Sequence, residues 1–156
     1  MTPAIDQARK AGIAFEIQEY EHDPGAESYG EEAVVKLGLS PDQVFKTLVV
    51  KLDSGALAVG VVPVTGKLNL KQMAKAAGAK KATMAEARDV ERVTGYVLGG
   101  VSPLGQKKRL KTVVDASAES LPTVHVSAGR RGLEIALAPA DLVALTGGAF
   151  APIAQN

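Results

Sequence analysis

Residues 95–105, reading GYVLGGVSPLG, carry four glycines, a serine and a proline, a composition that cannot fill a core. Glycine instead lets the main chain approach a ligand closely and reach positive φ. The chemistry on offer is therefore that of backbone N–H donors aimed at an oxygen, and the alternative is a glycine-rich turn with no ligand. The apolar run at 96–98 reads as a short strand, so the loop is expected where a sheet ends, a common place for a binding site. Ser102, before Pro103, is the obvious nucleophile within the loop, yet nothing in the sequence supplies a base for its hydroxyl. The glycine spacing over 100–107 misses a phosphate loop, because Gln106 takes the lysine position and no Ser or Thr follows.

Lys46 interrupts the apolar run 45–50. It is either an edge charge or an inward cation, whose desolvation requires an anionic partner or a function. Strand alternation sends Thr47 to the opposite face from Lys46 unless a bulge intervenes. Lys107, Lys108, Arg109 and Lys111 follow the glycine loop directly and form either a solvated surface or contacts to a phosphodiester chain. His22, beside Asp23, reads as a turn residue, and His125 as a half-exposed structural histidine in a strand. With two separated histidines and no cysteine, neither a metal nor another cofactor is expected.

These residues need a scaffold, and at 156 residues the chain suits a single domain spanning 1–156 with one core. Aromatics make up 4%, so Ala, Val and Leu must fill that core. The net charge of +1 argues against a broadly basic nucleic-acid coat, though not against a local patch. No membrane span and no secretory leader are visible, and the absence of cysteine suits a reducing compartment; a cytoplasmic protein is the expectation.

Thr2 and Pro3 predict a helix over 3–11 stopped by Gly12, and alternation predicts a strand over 14–20. Ser28 and Glu31 form a capping box for a helix ended by Gly38. A short helical turn after Ser40 leads into a hairpin of strands at 45–52 and 56–64, joined through Asp53, Ser54 and Gly55. Helices follow at 70–77, capped by Asn69, and at 85–94, with a short strand at 81–84 between them. Strands at 112–115, 123–127 and 133–137 precede a helix from Pro139 to Gly147. Interspersed strands and helices without βαβ alternation give class α+β, with a mixed, largely antiparallel sheet surrounded by helices.

The motifs Phe45-Lys46-Thr47, Gly95-Tyr96 and Gly99-Gly100-Val101-Ser102-Pro103-Leu104-Gly105 followed by Gln106-Lys107-Lys108 resemble the YbaK family of Cys-tRNA(Pro) deacylases. This family is related to the editing domain of bacterial prolyl-tRNA synthetases. The resemblance runs from the MTPAID start through the EHDP turn to residues 127–133, SAGRRGL. It implies a barrel-like mixed sheet and a pocket for the aminoacylated 3′ end of tRNA. Lys46 matches the family's key lysine, and Gly99 with Pro103 its GxxxP loop, whose backbone at Gly99, Gly100, Val101 and Ser102 is implied to hold the aminoacyl ester. Tyr20, Thr47, Ser127 and, less closely, Glu134 match pocket positions; Tyr29 matches one that is Phe in some relatives. Arg130 and Arg131 join the Lys107–Lys111 segment as expected tRNA contacts. The resemblance also implies a transient complex with prolyl-tRNA synthetase, because the aromatic platforms of single-strand RNA readers are missing. Two other readings stay open: an Ala-tRNA(Pro) deacylase using activated water, and a non-catalytic binder of tRNA ends or nucleotides.

Overall fold

In the computed structural model, which describes residues 1–25 and 29–156 with Tyr29 given as backbone only, five helices surround three sheets. The expected capping box at Ser28 and the pocket position of the Tyr29 side chain lie outside the described residues. Helix α1 (Pro3–Ala11) starts at Thr2, whose hydroxyl accepts the Ile5 N–H, and ends at Gly12. Strand β1 (Phe15–Glu19) leads to the turn before α2 (Tyr29–Leu37). That turn is anchored by a buried carboxylate: Glu32 Oε1 lies 2.6 Å from His22 Nδ1, and its Oε2 accepts the Asp23 N–H at 2.7 Å.

The hairpin is where the sequence places it, with β2 (Phe45–Leu52) antiparallel to β3 (Leu57–Pro63). After the two-residue β4 (Lys67–Leu68) come α3 (Leu70–Ala76), capped by Asn69, then β5 (Ala82–Met84), α4 (Ala87–Thr94) and β6 (Lys111–Asp115). The chain closes with β7 (Val124–Arg130), β8 (Leu133–Leu137), α5 (Pro139–Thr146), β9 (Ala149–Ala151) and β10 (Ala154–Gln155). Strand orders are β5-β2-β3-β6-β9, β1-β8-β7 and β10-β4. The β3–β6 and β6–β9 pairings are parallel and the other five are antiparallel, which makes the architecture the expected mixed, largely antiparallel α+β type. A bridge from Val44 to His125 links the two larger sheets.

Because side chains alternate along a strand, the five-stranded sheet buries both faces. Val49, Val59, Val61 and Val114 face one core with Ile5 of α1, Val126 of β7, Ile135 of β8 and Leu142 of α5. Val50, Ala58, Val62 and Val113 face another with Met73 of α3 and Ile153. The short β10 and the preceding Ile153 are tied back by Asp115, whose Oδ1 accepts the Ile153 and Ala154 N–H groups at 3.0 and 2.9 Å.

One expected element does not form: residues 96–98 are not a strand. Gly95 caps α4 in the left-handed region (φ 82°), and the chain then folds back on itself. Tyr96 donates its hydroxyl to Leu104 O at 2.7 Å, while the Lys107 and Lys108 amides donate to Thr94 O and Val93 O. Residues 95–106 thus form a compact Ω-like loop springing from a helix end and packed by its own side chains. Local hydrophobicity suggested a strand, but burial of Tyr96 inside the loop won.

The loop is pressed against the β7–β8 turn. A methyl group on Gly100 would lie 2.8 Å from the Arg130 Cα, and one on Gly129 would lie 2.8 Å from the Tyr96 ring. Gly100 does not have positive φ, so its requirement is for space alone. Gly100→Ala is therefore expected to destabilise the fold by about 1–3 kcal/mol through overpacking and to displace the Arg130–Arg131 turn. Urea unfolding together with the amide chemical shifts of the turn tests this; wild-type values for both would show that the contact is dispensable.

Candidate active site

The glycine loop, the β7–β8 turn and the start of β2 enclose a cavity of about 290 Å³. Lining it are Lys46, Thr47, Gly99, Val101, Tyr20, Ser127, Arg130, Arg131 and Glu134. Nine of the residues singled out from sequence thus converge, although they come from β2, the loop, and the β1, β7 and β8 strands with their connections. Phe45, Leu48 and Leu98 add an apolar wall that sequence reasoning had assigned only to strand interiors. Their spacing carried no signal separating pocket from core.

Lys46 and Thr47 are consecutive, yet both line the cavity, and no bulge intervenes between β2 and β3. The explanation is an uncovered strand edge. Strand β5 pairs only with residues 50–52 of β2, so the segment 45–48 has no β5 neighbour and meets the cavity side-on. Alternation describes sheet faces, not edges. Among the described residues the Lys46 ammonium has no hydrogen-bond or ion-pair partner, and the buried Thr47 hydroxyl has none either. An orphaned buried hydroxyl on a cavity wall is a group awaiting a ligand atom.

Not every residue of the GxxxP loop faces the cavity. Gly100, Ser102 and Pro103 do not line it. The Gly100 N–H is taken by Val97 O at 2.9 Å, and Gly100 itself packs on the Arg130 backbone. Ser102 is fully buried, its hydroxyl accepting the Leu104 N–H at 3.2 Å and its carbonyl accepting from Gln106. Pro103 lines a different cavity, with Gln7, Gly105 and Arg109. By contrast, the amides of Gly99 and Val101 have no acceptor among the described residues, and both residues line the site. With the Leu98 amide, which also has no acceptor among the described residues, they are the loop's backbone donors beside the cavity.

The basic residues divide in the same way. Arg130 and Arg131 lie on the cavity wall; among the described residues the Arg130 guanidinium makes an exposed 3.6 Å pair with Glu19, and Arg131 donates to Leu98 O at 3.4 Å. Lys107, Lys108, Arg109 and Lys111 do not line it. Arg109 is turned to α5, where it donates to Leu145 O. His125 is buried rather than half-exposed, 2.9 Å from Gln18 Oε1, and burial depresses its pKa while nearby Glu16 opposes that shift. It does not line the cavity.

Glu134 is the one carboxylate among the described lining residues. Burial pushes its pKa up to about 8, so it is mostly protonated at pH 7. Tyr20 is pushed up to about 12, by burial first and then by the Glu134 and Glu32 carboxyls, so it too stays protonated. The described lining residues therefore offer hydrogen-bond donors and cationic side chains with little negative charge. Such a wall suits an ester carbonyl joined to an anionic polymer. No group of three or more potential metal ligands occurs among the described residues.

Residues 23–145 match the family model for the aminoacyl-tRNA editing domain. The chain belongs to that family, of the YbaK type, whose members are aminoacyl-tRNA deacylases acting on tRNA. It is 40% identical over 137 residues to the Enterococcus faecalis protein EbsC, provisionally named a Cys-tRNA(Pro)/Cys-tRNA(Cys) deacylase, covering 87% of this chain and 84% of that one. The solved structure of hypothetical protein APE2540 is 27% identical with a TM-score of 0.86, over 98% of this chain and 99% of that one. A provisionally described trans-editing enzyme for prolyl tRNA synthetase, 22% identical over 100% and 99% of the chains with a TM-score of 0.83, shares the fold. No helix among the described residues is long and apolar enough to cross a membrane.

The neutral Glu134 has a stability consequence whose sign is fixed. Between the ordinary value of 4.5 and about 8 the folded state holds a proton that the unfolded state has lost, so stability falls as pH rises through that window and levels off above it. Glu134→Gln, neutral throughout, is expected to remove that slope and gain up to a few kcal/mol over wild type at pH 8. Urea unfolding at pH 5 and pH 8 measures it, and parallel pH profiles for the two proteins would refute it.

Proposed function

We propose that the chain removes cysteine from mischarged Cys-tRNA(Pro), and that the substrate's own thiol is the nucleophile. The observation that carries this reading is that no Ser or Thr hydroxyl among the described lining residues is paired with an activating base, and that the one carboxylate there is mostly protonated. Glu134 and Tyr20 are protonated at neutral pH, and the Ser127 hydroxyl accepts the Gly129 N–H with no histidine lining the cavity. An Ala-tRNA(Pro) deacylase would need a base to activate water, whereas the cysteinyl ester carries its own nucleophile and needs none from the wall. A free thiol near pKa 8.5 is already a few per cent thiolate at pH 7.

In this mechanism the thiolate sulfur attacks the ester carbonyl carbon. The bond from that carbon to the ribose oxygen breaks, and the thiol proton ends on the ribose hydroxyl, releasing cysteine thiolactone for later hydrolysis. The Gly99 and Val101 amides hold the carbonyl oxygen. Lys46 fixes the terminal phosphate or ribose, and the Thr47 hydroxyl takes one of the remaining polar atoms. Holding nucleophile and ester together supplies the rate, since enforced proximity is worth several orders of magnitude. Val101 acts through its backbone and Ser102 as a structural residue of the loop. Proline tRNA is selected through a transient complex with prolyl-tRNA synthetase in the cytoplasm, and the Lys107–Lys111 segment touches the tRNA backbone beyond the 3′ end.

Lys46→Ala is expected to lower kcat/KM for Cys-tRNA(Pro) at least tenfold with little change in unfolding midpoint; a loss of stability that accounts for the whole activity loss would make Lys46 structural. Product analysis should reveal cysteine thiolactone first, and Ser-tRNA(Pro) should be cleaved far more slowly. Equal turnover of the serine ester, or a covalent aminoacyl-enzyme, would overturn the mechanism. Neutralising Lys107, Lys108 and Arg109 together should flatten the salt dependence of tRNA binding, because fewer counterions are released; an unchanged slope would leave them a solvated surface.

A further inference from the structure

A second cavity, of about 390 Å³, adjoins the first. The two share Leu98, Arg130 and Arg131, and the second is otherwise walled by Tyr96, Val97 and glycine backbone. Residues 100–104 of the Ω-like loop are buried, yet its tip leaves Val97 66% and Leu98 45% exposed. Two adjacent apolar side chains held out beside a site, next to two guanidinium groups, mark a binding surface rather than stray exposure. Arg131 is tied to the loop through Leu98 O. Among the described residues the Arg130 guanidinium pairs with the exposed Glu19 carboxylate at 3.6 Å, a pair of little worth that a phosphate can displace.

An apolar floor rimmed by guanidinium groups matches a nucleotide, which presents a flat base face and an anionic phosphodiester. We propose that this second cavity holds the penultimate nucleotide of the tRNA 3′ end, a cytidine. Its base lies against Val97 and Leu98, and the phosphate joining it to the terminal adenosine lies by Arg130 and Arg131. The inference rests on the reading that the first cavity takes the aminoacylated terminal nucleotide. Consecutive nucleotides are joined by a single phosphodiester, so the chain leaving the first cavity passes the wall that the two cavities share. That wall carries the guanidinium groups.

The test compares cysteinyl-adenosine with the cysteinyl dinucleotide CpA as deacylation substrates. Wild type is expected to show kcat/KM at least tenfold higher for the CpA ester. Val97 lines only the second cavity, so Val97→Asp should cut that advantage at least fivefold and leave the adenosine ester unaffected; Val97→Ser should cut it less. Uncharged CpA, but not adenosine monophosphate, should shift the Val97 methyl resonances. Equal efficiency on both esters, full retention of the advantage in Val97→Asp, or unmoved Val97 methyls would overturn the subsite while leaving the deacylase reading intact. Failure of wild type to cleave either ester or Cys-tRNA(Pro) would instead overturn the deacylase reading, and the methyl shifts would still decide the subsite.

Discussion

The contact on which the site depends is between two stretches of main chain, the Ω-like loop at Gly100 and the β7–β8 turn at Arg130. With 2.8 Å between a notional Gly100 methyl and the Arg130 Cα, the two backbones approach as closely as glycine permits. Everything that lines the cavity from the loop side is set by this approach, because Gly99 and Val101 flank Gly100. Everything from the turn side is set by it too, since Arg130 and Arg131 belong to the turn and Ser127 and Glu134 pair across it. The loop is held at this contact by its own bonds, the Tyr96 hydroxyl on Leu104 O and the Ser102 hydroxyl under the Leu104 N–H, and by the Gly105 N–H donated to Gln7 of α1. Among the loop amides left without an acceptor in the described structure, those of Leu98, Gly99 and Val101 belong to residues beside the cavity.

That geometry sets the electrostatics. In the mechanism we propose, an ionised carboxylate in the cleft would repel the tRNA end and offset Lys46. Burial resolves the conflict by keeping Glu134 protonated at neutral pH. The same carboxyl in an exposed position would ionise and reverse the character of the wall. Burial of one side chain therefore does two jobs, filling the end of the β1-β8-β7 sheet and preserving the cationic sign of the cleft.

Elements with local punctuation were legible in the sequence. The Thr2-Pro3 start, the Asn69 cap, the hairpin through Asp53 and Gly55, and the Pro139–Gly147 limits carry their boundary signals within a few residues, so the helices and main strands fall where expected. The run at 96–98 was misread because its apolar character serves two ends that sequence does not separate: Tyr96 is buried inside the loop while Val97 and Leu98 stand outside it. Thr47 was assigned away from Lys46 because alternation assumes a strand flanked on both sides, and the missing β5 neighbour is a tertiary fact. The three-residue β9 and two-residue β10 have no periodicity to read; they exist because Asp115 and the neighbouring strands hold them. Lining by Lys46, Gly99, Ser127 and Glu134 was anticipated through family resemblance, whereas periodicity alone left even the orientation of Lys46 open.

A cavity this small raises the question of how one amino acid is selected. Cysteine, serine and alanine differ by a single atom on Cβ, and a cleft walled by Phe45, Leu48 and Leu98 can separate such neighbours only modestly by fit, since one small group is worth roughly 1–3 kcal/mol. In the mechanism we propose the discrimination is instead chemical. The protein binds all three esters through the backbone amides and Lys46, contacts they share, and lets the side chain decide whether a nucleophile is present. A hydroxyl, far less acidic than a thiol, remains un-ionised where a few per cent of the thiol is thiolate. An enzyme that lent its own activated nucleophile or base would lose this selectivity, because it would attack every ester it bound. On this account the mostly protonated Glu134 and the buried, hydrogen-bonded Ser102 are requirements of specificity, and the lack of a working base on the described wall is the feature that spares esters without a thiol.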